Sequence, residues 1–182
     1  QEMDLTCHEL GFALRLLFRG NGNILERLAT PYQLFRSEAQ QRLVELGRGA
    51  AARSFHRHYK GFFAQKRKDL EQSDAVTVKG VLYVYRAALT GIHLMRTGEC
   101  VGDAVTLAAL YRYSRVAELI KVKRTGTETA TLSDDQGYRE DWSRLEAELA
   151  QAQDQSPLPE QSPNRAAGSA LLIDLRRRAL DC

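Results

Sequence analysis

This sequence of 182 residues predicts a mainly α-helical fold with one strand at its N-terminal end. Three observations carry that expectation. Val78, Val81, Leu82, Tyr85, Ala88, Leu89 and Ile92 recur at i, i+3, i+4, i+7 spacing, the pattern of a helix with one face in a core. Weaker stripes of the same period fill most of the remaining chain, separated by Gly, Pro and polar breaks. The single strand-like run is Met3 to Cys7, where Met3, Leu5 and Cys7 alternate with Asp4 and Thr6. An isolated strand cannot satisfy its own backbone, so this one requires partners that the chain does not evidently supply.

After that run, Leu10, Ala13, Leu14, Leu17 and Phe18 mark a helix that stops at Gly20. A turn leads to a short helix over Ile24 to Leu28, with Asn23 as N-cap, Glu26 three residues on as in a capping box, and Pro31 ending it. Helices follow over Ser37 to Ala52 and over Ser54 to Leu70, where Phe55, Tyr59, Phe62 and Phe63 line one face. The stripe from Val78 to Ile92 belongs to the central helix. Shorter helices cover Asp103 to Tyr111 and Arg115 to Arg124. Thr125 to Gly137 reads as a polar linker, and Tyr138 to Gln153 as an acidic amphipathic helix carrying the single Trp, Trp142. Pro157, Pro159 and Pro163 mark a loop before a last helix, Arg165 to Leu180.

The length suits one hydrophobic core without staples. Three cysteines with no CxxC spacing provide neither a zinc nor a disulfide framework, and their odd number favours a reducing compartment. Arg15, Tyr83, Arg86 and His93 interrupt the apolar runs, so no segment reads as membrane-spanning, and the expected location is the cytoplasm. The net charge of +3 hides an asymmetry. From Arg36 to Arg86 there are eleven Lys/Arg against five Asp/Glu, whereas Thr127 to Gln161 has nine Asp/Glu against two Arg. A basic middle suits phosphates or nucleic acid, and the acidic segment should avoid them.

Several residues are candidates for chemistry. Asp4 can point away from its apolar neighbours in a strand, as a metal ligand does and as an ordinary exposed strand end also does. Lys79, Tyr83, Arg86, Thr90 and His93 form a polar stripe opposite the apolar face of the central helix. Partly buried cations there require anions, supplied either by a triphosphate or nucleic acid or by carboxylates of neighbouring helices. His58-Tyr59-Lys60-Gly61-Phe62 mixes aromatic and basic groups able to stack a base and hold a phosphate, and equally reads as two core aromatics with a boundary histidine. His56 and His58 diverge by about 200° on a helix and cannot chelate one metal. Arg86 and His93 share a face with the spacing of HEPN-type ribonucleases, an arrangement for metal-independent RNA cleavage. Gly-rich phosphate loops and the GxSxG hydrolase turn are absent.

Taken in order, Asp4 within Met3-Asp4-Leu5, His8-Glu9-Leu10, the run Leu16 to Leu28, His58-Tyr59, Lys79 with Tyr83 and Arg86, Thr90-Gly91-Ile92-His93, Thr97-Gly98-Glu99, Leu119-Ile120 with Lys123, and Ser156-Pro157-Leu158-Pro159 resemble bacterial and phage nucleotidyltransferases of the DNA polymerase beta superfamily. The resemblance spans nearly the whole chain. It implies transfer of a nucleoside monophosphate from a nucleoside triphosphate to an acceptor, nucleic acid among the candidates, with divalent metals held by a Gly-Ser turn, an Asp-x-Asp pair and a third carboxylate. By that resemblance Asp4 is the third carboxylate and binds Mg²⁺, Lys79 and Arg86 face the nucleotide or acceptor, and His58 and Tyr59 lie near the cleft.

No Gly-Ser turn followed by Asp-x-Asp occurs in this sequence, and Asp134-Asp135 is adjacent and late. The expectation is therefore the C-terminal part of such an enzyme, inactive alone and completed by a catalytic segment N-terminal to it. Residues 1–36 would be the end of an α/β nucleotidyltransferase palm, 37–126 a helical domain covering the cleft, and 127–182 an acidic linker with C-terminal helices. The alternatives are a helical nucleotide- or RNA-binding module without catalysis, and the HEPN-type ribonuclease.

Overall fold

The computed structural model describes residues 7–34, 36–125, 131–132 and 136–180. Among the described residues the protein is all helix, with no sheet; one isolated antiparallel bridge joins Thr77 to Thr131. The Met3 to Cys7 strand expectation, Asp4 included, lies outside the described residues except at Cys7. The helices are α1 (Leu10–Phe18), α2 (Gly22–Ala29), α3 (Glu38–Arg48), α4 (His56–Glu71), α5 (Val78–Thr97), α6 (Ala104–Leu110), α7 (Arg115–Thr125), α8 (Gln136–Asp154) and α9 (Arg165–Leu180). A 3₁₀ turn, Arg53–Phe55, leads into α4.

Side-chain caps start several of the helices. Glu9 accepts from the amides of Gly11 and Phe12 at the head of α1, Ser37 from Gln40 at α3, Thr77 from Gly80 at α5, and Asp103 from Val105 and Thr106 at α6. α5 ends at Gly98, whose φ of 79° is the left-handed conformation that glycine adopts without cost. Two expectations need correction. The cap of α2 is Asn21, which accepts from the amide of Ile24 at 3.2 Å, not Asn23, so Glu26 is freed from capping. The sharp turn at Gly20 (φ 81°) brings the chain into helix two residues early. α3 ends at Arg48 rather than Ala52, because Gly49 stops it and residues 50–52 run non-helically into the core, with Ala50 and Ala52 fully buried.

α5 is the axis of the fold. α4 and α8 pack along it, and α6 and α7 close its C-terminal half; α1, α2 and α3 form a second group held by α9. One continuous apolar cluster joins both groups, running from Leu14 and Leu17 through Phe55, Tyr59 and Leu89 to Trp142, Leu145 and Leu171. The sequence predicts one apolar face on α5, but from Ala87 to Met95 every residue is buried. The reason is close approach. A Cβ on Gly91 would lie 2.7 Å from Tyr59 Cβ and 2.9 Å from Leu149 Cδ1, so glycine lets α4 and α8 meet α5 at the same level. No helix of the described residues is long and apolar enough to cross a membrane.

Gly91→Val should overpack this crossing and lower unfolding free energy by about 2 kcal/mol or more. Urea unfolding followed by circular dichroism measures it. A variant as stable as the parent would show that α4 and α8 can separate without loss.

Candidate functional site

A large cleft, about 1080 Å³, opens between the C-terminal end of α2, the following turn through Tyr32, and the loop from Cys100 to Asp103. α5 supplies its floor through Arg86. The Arg86 guanidinium forms an ion pair with Glu26 and donates through Nε to the carbonyl oxygen of Gly102 at 3.3 Å. Tyr59 reaches the same carboxylate from α4, donating its hydroxyl to Glu26 Oε1 at 3.3 Å, with Cys100 Sγ 3.8 Å from that hydroxyl. The pair is only partly shielded, with the Glu26 side chain 15% and the Arg86 side chain 32% exposed.

Burial sets the proton affinities here. It lifts Glu26 above the usual carboxylate range, against the opposing pull of Arg86 and the Tyr59 hydrogen bond. It pushes the Cys100 thiol up to about 12, so this cysteine is a neutral thiol and no nucleophile at neutral pH. Tyr59 also stays protonated, because burial and the neighbouring Cys100 and Glu26 oppose its ionisation. The cleft thus has a half-buried carboxylate and guanidinium at its base, Arg27 exposed at its rim, and the Tyr32 ring 88% exposed beside them. An anionic ligand entering it would compete with Glu26 for Arg86 and meet Arg27 first.

The residues singled out in the sequence separate. Arg86 lies in the cleft. Tyr59 contributes its hydroxyl alone: its ring is 0% exposed and no base can stack on it. His58 is half-buried behind the start of α2, where a Cβ on Gly22 would sit 2.4 Å from its Cδ2; its ring meets Tyr59 edge-on, and burial lowers its affinity for a proton. Lys79 is exposed on the first turn of α5, seven residues or about 10 Å of helix from Arg86, and outside the cleft. Asp4 lies outside the described residues. Arg86 and His93 do not share a site, because His93 Nδ1 is 3.0 Å from the Tyr111 hydroxyl and its Nε2 faces Glu99, while Arg86 is held by Glu26 and Gly102. The carboxylate-neighbour reading of the polar stripe therefore describes Arg86.

Glu26, Cys100 and Asp103 were not among the sequence candidates. Glu26 carried a signal, but it read as a cap, and its partner is 60 residues away. A metal is not held by these groups alone. Asp103 is committed to the amides of α6, Glu26 to Arg86, and among the described residues no three His, Cys, Asp or Glu side chains gather to hold a metal ion.

A family model described as the RNA repair pathway DNA polymerase beta family (RlaP) matches residues 1–174. An uncharacterized protein of Methanocaldococcus jannaschii is 27% identical over 110 residues, covering 60% of this chain and 45% of the relative. The chain therefore spans less than half of that curated relative. No solved structure matches.

The folded state holds the Glu26 proton more tightly than the unfolded chain does, so stability should fall as pH rises from about 4.5 through the raised folded value. Glu26→Gln should remove that part of the slope, measured as urea-unfolding free energy between about pH 4 and about pH 7. An unchanged slope would assign it to other groups.

Proposed function

The chain belongs to the RNA repair pathway DNA polymerase beta family, and we propose that it is part of a nucleotidyltransferase that moves a nucleoside monophosphate from a nucleoside triphosphate to an acceptor. The match over residues 1–174 carries this reading. The family's description makes RNA the acceptor class to test first. In such a reaction an acceptor hydroxyl oxygen forms the new bond to the α-phosphorus, its proton leaves to a base or solvent, and pyrophosphate departs with the electrons of the broken P–O bond.

Mg²⁺ is the cofactor of this reading, with Asp4 as one ligand and an Asp-x-Asp pair, not found in these 182 residues, supplying others. The metal would neutralise charge on the attacking and leaving oxygens. The groups around the large cleft are suited to the rest of the substrate. Arg27 at the rim would attract the triphosphate, Arg86 would meet it at the base once Glu26 yields, and the exposed Tyr32 ring offers a stacking face. Tyr59 would act through Glu26 as a positioning residue, its hydroxyl fixing the carboxylate that holds Arg86.

In the full-length gene product, Asp4→Ala should abolish Mg²⁺-dependent incorporation of α-labelled nucleotide, and Arg27→Ala should raise KM for the triphosphate several-fold with little change in kcat. Transfer surviving in Asp4→Ala would reject Asp4 as a ligand. An inactive parent protein with Mg²⁺, all four triphosphates and RNA would reject the reading itself.

A further inference from the structure

The guanidinium at the base of the large cleft is already occupied. Arg86 donates to Glu26 Oε2 within their ion pair, and the other oxygen, Glu26 Oε1, accepts from the Tyr59 hydroxyl at 3.3 Å. Both members of the pair line the cleft, so an anion that reaches Arg86 arrives beside Oε2. Its arrival takes the counter-charge from the carboxylate and sets a second negative group next to it. Like charges at such a separation disfavour each other's ionised forms, and partial burial sharpens the penalty.

The carboxylate can relieve that penalty by swinging into water or by giving up its charge. Swinging out is opposed by its surroundings. The Glu26 side chain is only 15% exposed, and the hydroxyl that holds Oε1 belongs to a tyrosine that is fully buried on α4 and cannot follow it. Departure would leave that hydroxyl with the Cys100 sulfur, 3.8 Å away, as its remaining neighbour. Protonation in place costs no such contact. Oε1 still accepts from Tyr59, while a proton on Oε2 turns that oxygen from an acceptor of Arg86 into a donor toward the anion.

The other groups facing Glu26 do not compete for the proton. Asp103, across the cleft, accepts from the Thr106 hydroxyl and from the amides of Val105 and Thr106, which hold its carboxyl below the usual range. Tyr59 on α4 and Cys100 in the loop already carry their protons. Arg27 on α2 and Arg86 on α5 bring donors only. No histidine lines the cleft among the described residues; His58 lies behind the start of α2, where burial opposes its protonation.

We propose that this cleft takes its anion together with a proton: a phosphate group displaces Glu26 Oε2 from Arg86, and Oε2 takes a proton from solvent and donates it to a phosphate oxygen. Glu26 is thereby a positioning residue that changes from competitor to donor, and capture of a polyphosphate tightens as pH falls. The inference rests on the reading that this cleft receives the triphosphate, and is independent of any transfer step.

Carbon-13 NMR of the Glu26 side-chain carboxyl reads its protonation directly. The 182-residue chain is titrated between about pH 4.5 and about pH 8, with and without saturating metal-free inorganic triphosphate. The Glu26 midpoint should move up by about one pH unit or more when triphosphate is bound, with the Asp103 midpoint nearly unchanged. Calorimetry then compares triphosphate affinity in the parent and in Glu26→Gln, whose side chain carries no charge to lose. The ligand's own protons are common to both proteins and cancel in the comparison. Glu26→Gln should bind several-fold more tightly than the parent at about pH 8, and the parent alone should gain affinity on acidification, toward about tenfold per pH unit for one coupled proton. Arg27→Ala should weaken binding while keeping that gain. A Glu26 midpoint that stays or falls while the Arg86 guanidinium signals respond to triphosphate would overturn the proposal and leave the cleft as an anion site. Arg86 and Arg27 signals that both ignore triphosphate would overturn the cleft reading and the proposal together. Should Glu26→Gln fail to fold, the carboxyl titration of the parent decides alone.

Discussion

Enclosing α5 on every side places a demand on the rest of the molecule. A helix with one buried face can turn its polar residues to water, whereas one covered all round must find each a partner inside. From Ala87 to Met95 no residue of α5 is left outside, and Gly91 is where α4 and α8 approach it most closely. Thr90 donates to the carbonyl of Val101, His93 meets Tyr111, and Arg86, at the edge of the enclosed stretch, meets Glu26 and Gly102. Those three attachments pin the Cys100–Asp103 loop, α6 and α2 to the central helix. The large cleft is the space left between these pinned pieces, so its base is a by-product of satisfying α5.

Burial also governs the cleft beside Arg86. In it, a carboxylate occupies the guanidinium, and a hydroxyl and a thiol crowd that carboxylate, so each polar group already has company. A ligand there must displace an internal interaction.

Much of the helical architecture was legible in the residues. α1, α5, α7, α8 and α9 follow from apolar periodicity with Gly, Pro or polar punctuation, and their ends lie within a few residues of expectation. The α2 cap was misread because Asn21 and Asn23 are equally good acceptors, and only the positive φ at Gly20 decides between them. The sequence extends α3 too far because Ala50 and Ala52 are good helix formers, whereas packing holds Ala50 in a turn and Ala52 in extended conformation. The polar stripe of α5 could be seen, but not that Glu26 would answer Arg86 from 60 positions earlier, since no local period encodes such a pairing. His58 and Tyr59 have rings whose chemistry suits stacking, and packing against Gly22 and Gly91 takes those rings out of reach.

The turn from Ser156 to Asn164 fastens itself to interior backbone at several places. Ser156 holds the Met95 carbonyl, Ser162 that of Ala50, and Asn164 that of Leu46, while the carbonyls of Pro159 and Glu160 receive the amides of Arg53 and Ser54. Until that turn exists, the non-helical stretch between α3 and α4 has donors and acceptors with no protein partners. A ribosome making this chain would deliver the partners of Leu46, Ala50, Arg53 and Ser54 more than a hundred residues after those groups. Assembly of the centre is thereby postponed until that turn has been made, and a nascent chain stalled short of Ser156 would remain unfinished at its middle.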